Sequence, residues 1–244
     1  MDRNNDKTKS LKVLTAGESK NSFDQKSELT RADPVKTSII GCGPSYLASP
    51  EITPRSAGIC LNLLNSDLMK LKQLESHLSK IKAFEKPKIE YEQYPTSAHI
   101  ASHMMFAAQD SFEDLEDQTV LDLGVGCGIL SIASGLMGAS YNMGIDIDPD
   151  ALEQTRRNAD SFDLDLDLMR MDANNLVSLK DTGSCSLPRL KADTVIMNPP
   201  FGTKTQKGVD LVFLQAASLM AEHSVYSLHK TSTRDVSDCL SREF

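Results

Sequence analysis

Asn198-Pro199-Pro200-Phe201 is the stretch whose residue types imply a reaction most directly. The run Ala192-Asp193-Thr194-Val195-Ile196-Met197 ahead of it reads as a buried strand. The tetrapeptide therefore sits where a parallel strand meets its loop, the usual ligand edge of an open α/β sheet. Pro199 and Pro200 remove two amide donors and fix two φ angles, so the loop cannot relax into helix. What remains is a stiff corner with a side-chain amide, backbone carbonyls and an aromatic face. A planar amine conjugated to a ring has its lone pair delocalised. Two acceptors on its N–H bonds draw that nitrogen toward a nucleophilic geometry. Phe201 is placed to stack on the ring, as aromatics do with flipped bases. The competing reading is a Pro-Pro turn that merely ends a core strand.

A second motif lies upstream. Val120 to Ser131 reads as a strand, a glycine loop and a helix start, with Asp122, Gly124, Gly126 and Gly128 in a D-x-G-x-G-x-G spacing. Glycines let the backbone turn tightly and approach a ligand, and the following helix N-terminus favours anionic groups. The spacing differs from the G-x-G-x-x-G of dinucleotide sites, and Asp122 suits a cationic amine for which a pyrophosphate site has no use. Asp146 ends a second short strand at the distance where acids reach ribose hydroxyls. Asp172 ends a third strand and is placed to meet an adenine amino group. Three acids at successive strand ends describe a pocket for an amino-acid-bearing nucleoside, S-adenosylmethionine; a nicotinamide dinucleotide is the competitor.

Several stretches then carry a resemblance: Phe84-Glu85-Lys86-Pro87-Lys88, Glu92-Gln93-Tyr94-Pro95-Thr96, Asp122 to Gly128, Asp146-Ile147-Asp148, Asn198 to Lys204, and Val225-Tyr226-Ser227-Leu228-His229-Lys230. From Met69 to about Arg234 the chain resembles the small-subunit ribosomal RNA N6-adenine methyltransferases of the methyltransferase-like group. The resemblance implies a class I, Rossmann-like α/β fold with a mostly parallel sheet. It implies an S-adenosylmethionine site lined by Gln93, Thr96, Gly124, Cys127, Ile129, Asp146 and Asp172. Asp122 and Gly126 join them from the glycine motif. Asn198, Pro199, Pro200 and Phe201 would hold the target adenine. It also implies a small zinc-binding activator subunit as partner, ribosomal RNA as substrate, and a place in the nucleus and cytoplasm. A protein glutamine-N5 methyltransferase is the alternative, because an amide nitrogen poses the same electronic problem. A non-catalytic chain that only binds cofactor or activator is a third.

The elements needed to hold these residues are strands near 120–124, 141–146, 166–171, 193–197 and 224–228. Leu71, Leu74, Leu78 and Ile81 give an apolar stripe at helical spacing, with Lys70, Lys72, Lys80, Lys82, Lys86 and Lys88 around it. The formal net charge of −8 argues against nucleic-acid binding by bulk attraction. Those lysines, with Lys204 and Lys207 after the Asn-Pro-Pro-Phe corner, suggest either the solvated face of an amphipathic helix packed on the core or a local RNA rim, and the two readings are compatible. The polar N-terminus and the lack of a long apolar run give no sign of a secretory signal or membrane span. Five widely spaced cysteines fit neither a disulfide framework nor a zinc knuckle. Cys127 is expected to be pocket wall. His99 and His103 are one helical turn apart without a third ligand nearby in sequence, so no metal site is expected.

Residues 1–68 are expected to be a disordered extension, 69–234 the methyltransferase domain, and 235–244 a divergent tail. Ile39-Ile40-Gly41-Cys42-Gly43-Pro44 mimics a glycine loop but lacks a following acid. The resemblance implies a seven-strand sheet, and because the chain leaves the family pattern after Arg234 its final helix and hairpin are expected to be missing. The strand at 224–228 is therefore expected to be an open edge, with stability and activity in doubt.

Overall fold

Short apolar runs that end in Asp or Asn become the strands of a single sheet. In this computed structural model the residues described are 10–16, 69–178, 190–202 and 208–230. The strands are β1 (Ser10–Ala16), β2 (Thr119–Leu123), β3 (Tyr141–Asp146), β4 (Asp167–Arg170), β5 (Ala192–Met197) and β6 (Ala221–Lys230). Their order is β1-β6-β5-β2-β3-β4, and every neighbouring pair is parallel. The helices are α1 (Leu71–Leu78), α2 (Ala98–Asp110), α3 (Ile129–Leu136), α4 (Pro149–Asp160), α5 (Ala173–Ser178) and α6 (Val209–Met220). This is the Rossmann-like α/β fold expected from the sequence.

The central strands are near-continuous apolar runs because helices cover both faces of a parallel sheet. Val120, Ile196 and Tyr226 face Leu74 and Leu78 of α1, Met104 and Met105 of α2, and Ile132 of α3. Leu121, Leu123, Ile145, Val195 and Met197 point the other way, onto Leu214, Ala217 and Met220 of α6. Local signals fix the helix starts that matter for the site. Ser97 Oγ accepts from the Ile100 amide at the start of α2, and Asp148 caps α4 ahead of Pro149. From β2 the chain proceeds outward to β3 and β4, whereas β5 lies on the other side of β2. That reversal opens a crevice at the carboxyl ends of β2 and β5, where open α/β sheets bind ligands.

Three expectations need correction. The sheet has six strands among the described residues rather than five. Seven residues placed in a disordered extension, Ser10–Ala16, form β1 instead. Leu11-Lys12-Val13-Leu14 is apolar enough for a short strand, and in a polar segment that signal was too brief to read. The edge expected to be open is therefore covered: β1 pairs with β6 from Ser10 opposite Ser224 to Ala16 opposite Lys230. The Gly41–Gly43 loop, Lys204, Lys207 and the tail at 235–244 lie outside the described residues. No helix of the described residues is long and apolar enough to cross a membrane.

Candidate active site

An open cavity of about 220 Å³ lies at the carboxyl ends of β2, β3 and β5. Nine of the expected site residues line it from the cofactor side: Gln93, Thr96, Asp122, Gly124, Gly126, Cys127, Ile129, Asp146 and Asp172. Asn198 and Pro200 line it from the corner after β5. Pro199 and Phe201 do not, although both were expected to hold the target.

The glycine loop is fastened from three sides. The Gly124 and Val125 amides donate to the Ile145 carbonyl at 2.8 and 2.9 Å. The Gly126 amide donates to Asp146 Oδ2 at 2.9 Å. From α4, Thr155 Oγ1 donates to the Gly126 carbonyl at 2.7 Å and Asn158 Nδ2 to the Cys127 carbonyl at 2.8 Å. Gly128 turns the chain into α3 at φ +81°, and a Cβ there would stand 2.7 Å from Thr155 Cγ2. Cys127 is buried, and desolvation, with Asp146 nearby, pushes its thiol up to about 12 against a hydrogen bond from the Phe84 backbone. It is wall, not nucleophile.

The acids differ in what they have left to offer. Asp122 is 1% exposed. Its Oδ2 accepts from the Ser131 amide at 3.1 Å and from Ser131 Oγ at 2.7 Å. Its Oδ1 is buried with no hydrogen-bond partner. Burial raises this carboxyl to about 7, against the two Ser131 donors and with a smaller push from Asp146. A buried acceptor without a donor, beside a cavity, suits a cationic group. Asp146 is raised mainly by burial, opposed by the Asp148 and Gly126 amides. Asp172 Oδ1 accepts from both the backbone and side chain of Asn174 at the start of α5.

Gln93 works as a latch. Its Oε1 accepts from the Lys88 amide at 2.8 Å, and its Nε2 donates to Asp148 Oδ2 at 2.7 Å. Lys88 Nζ donates to Asp148 and Asp150 at 2.6 and 2.7 Å. Burial of Asp148 opposes its ionisation, but Lys88 and Gln93 outweigh it and hold the carboxyl below the usual range. Of the lysines read as an RNA rim, Lys88 is thus committed to this ion pair, whereas Lys82 is exposed and lines the cavity.

The corner after β5 offers acceptors. Asn198 Nδ2 donates to Thr96 Oγ1 at 2.8 Å, which leaves Oδ1 as the acceptor of that amide. Pro199 and Pro200 have no N–H. The Phe201 amide, the next donor, is taken by Glu92 Oε2 at 2.9 Å. Phe201 is thereby drawn toward Glu92, and the apolar wall of the cavity comes instead from Phe84, Val209 and Phe213. Sequence reasoning missed Glu92, Thr96 as a partner of Asn198, and Phe213. Glu92 is 8% exposed and left-handed at φ 48°, and a short quoted motif does not reveal a contact 109 residues away.

The histidine pair also needs correction. Glu75 on α1 supplies the third group, with Oε1 at 3.2 Å from His99 Nδ1. Glu75, His99 and His103 bring one ligand atom each within 4.8 Å, a set that could hold a metal ion. They lie on the surface between α1 and α2, away from the cavity lining.

The family profile described as ribosomal protein L11 methyltransferase (PrmA) matches residues 94–198. The chain is 49% identical over 168 residues to the rRNA N(6)-adenosine-methyltransferase METTL5 of Danio rerio, covering 68% of this chain and 77% of that one. It is 47% identical over 167 residues to the Drosophila melanogaster rRNA N(6)-adenosine-methyltransferase, covering 68% and 75%. Among solved structures, the crystal structure of a candidate RNA methyltransferase from Pyrococcus horikoshii superposes with a TM-score of 0.60. That chain is 31% identical, with 71% of this chain and 80% of that one covered.

Proposed function

This chain belongs to the rRNA N(6)-adenosine methyltransferase family, and from that premise we propose that it methylates N6 of an adenosine in small-subunit ribosomal RNA. The observation that supports this most is the donor-poor corner at Asn198–Phe201. Two of its positions are proline, the Phe201 amide is occupied by Glu92 and the Asn198 side-chain nitrogen donates to Thr96, so acceptors predominate there. A target presenting N–H bonds suits it better than a carbonyl or an unprotonated ring nitrogen.

S-adenosylmethionine, when bound, supplies an electrophilic methyl group. Asp122, with its unpaired buried oxygen, would face the amine of that ligand. Asp146 and Asp172 would receive its ribose and adenine. The glycine loop admits the ligand close to the backbone. Asn198 Oδ1 would accept from the target amine and aim its nitrogen, and Thr96 keeps the amide turned that way. No general base is required, since an alkylated amine loses its proton readily. The site contributes position and electrostatic complementarity. We further propose that a zinc-binding activator pairs along the side of β4, Asp167–Arg170, that no strand of the described residues covers, where Met169 is 42% exposed, and that the pair works in nucleus and cytoplasm.

The test is transfer of labelled methyl by the activator-bound chain to purified small-subunit rRNA, large-subunit rRNA and a release-factor-like protein, with nucleoside analysis. Label in small-subunit N6-methyladenosine alone is expected. Equal label in both RNAs would remove the subunit assignment, and label confined to the protein would favour glutamine.

A further inference from the structure

Lys12 reaches from β1 into a cluster built by residues far along the chain. Its ammonium pairs with Asp114, in the loop between α2 and β2, and donates to Tyr226 Oη at 3.0 Å and Ser224 Oγ at 3.3 Å. It lies 4.0 Å from the Phe112 ring centre and 4.8 Å from that of Tyr226. The Lys12 and Asp114 side chains are only 11% and 16% exposed.

The receiving side also has hydrogen bonds of its own that do not involve the lysine. Thr194 Oγ1 on β5 donates to the Asp114 carbonyl at 2.8 Å. Asp114 Oδ2 accepts from Tyr226 Oη at 2.6 Å and from Ser224 Oγ at 2.9 Å. These fix an anion next to the place where an ammonium lies over the Phe112 and Tyr226 rings, at the side of a ten-residue strand whose outer main chain needs a partner. Hydroxyl donors leave that carboxylate without a counter-charge, and a long cationic side chain supplies one.

We infer that the outer edge of β6, with Phe112, Asp114, Ser224 and Tyr226, is a strand-acceptor site selective for an extended lysine-bearing peptide, and that residues 10–16 of this chain are its built-in occupant. Main-chain pairing over seven residues supplies affinity, and the lysine sets the register. A strand slipped by one residue would turn the lysine away from Asp114.

The test is hydrogen exchange across β6 in the full chain. Lys12→Glu, which opposes Asp114, and Lys12→Met, which keeps the stem and removes the charge, should each speed exchange of β6 amides at least about tenfold. Protection of β2 and β3 should stay unchanged. A synthetic peptide of residues 8–18 should restore β6 protection in the Lys12→Glu chain, and the same peptide carrying Lys12→Glu should not. The double variant Lys12→Glu, Asp114→Lys should recover part of the protection in cis. Unchanged β6 exchange in both single variants, or equal rescue by either peptide, overturns the site. Loss of protection throughout β2 and β3 would make β1 an inseparable part of the core and also overturns it. Protection that appears only with dimer formation would assign the strand to a second copy and overturn the cis occupancy.

Discussion

With Asp122 facing the cofactor amine as proposed, cofactor binding should be a proton-linked event. Its carboxyl is raised to about 7 by burial, so the ligand-free protein carries a proton there below neutrality. Binding a cationic amine requires the carboxylate, and the proton must leave. Affinity for S-adenosylmethionine should therefore fall about tenfold for each pH unit below about 7, and level off above it. Calorimetry between about pH 5.5 and about pH 8, in buffers of different ionisation enthalpy, should register close to one proton released at the acid end. Asp122→Asn keeps an oxygen for the two Ser131 donors and removes the charge. It should weaken binding about 10- to 100-fold at the alkaline end, the equivalent of a charge-assisted hydrogen bond of about 1.5–3 kcal/mol. Wild type and variant should converge at the acid end. Stability has the matching sign. A folded-state value above the unfolded 3.8 means that the native state holds the proton more tightly. That contribution is complete below the unfolded value and disappears as pH rises through about 7, a loss of at most about 4 kcal/mol. The variant should lack this slope. A wild-type affinity that is flat with pH, with no proton released, would refute the reasoning.

Asn198→Ala should abolish methyl transfer, a loss of about 100-fold or more, and leave cofactor affinity within a few fold by calorimetry, because in the proposed mechanism the amide acts on the target amine. Glu92→Gln should lower turnover about tenfold with the cofactor dissociation constant unchanged, read by single-turnover kinetics, since it weakens the anchor of the Phe201 amide without touching the glycine loop. Gly128→Ala should lower stability by about 2 kcal/mol in a denaturant melt. It combines the left-handed φ of +81° with a Cβ at 2.7 Å from Thr155.

What could be read from the sequence follows from how locally each feature is specified. β2, β3 and β5 are short apolar runs closed by Asp or Asn, and each was placed to within a residue or two of its bounds. The glycine loop and the strand-end acids are also local, so the cavity wall on that side was named in advance. Thr96 holding Asn198 across 102 positions and Glu92 holding Phe201 across 109 were out of reach, because no periodicity marks them. That Phe201 does not line the cavity was equally out of reach. β1 was missed although its residues are apolar enough for a strand, because the run is short and set in a polar segment, and its partner β6 lies more than two hundred positions away.

The pairing of β1 with β6 has a consequence in time. Ser10 and Ser224 are 214 positions apart. At a synthesis rate of about 5–20 residues per second, β1 must wait roughly 10–40 s before its neighbour exists. The sheet can grow from β2 and β3 outward by short crossovers, but this contact closes last and carries the largest loop entropy. During that interval Leu11-Lys12-Val13-Leu14 is an unclaimed strand on the nascent chain. A lysine amid its apolar residues keeps that waiting strand dispersed, the gatekeeper placement that disfavours aggregation.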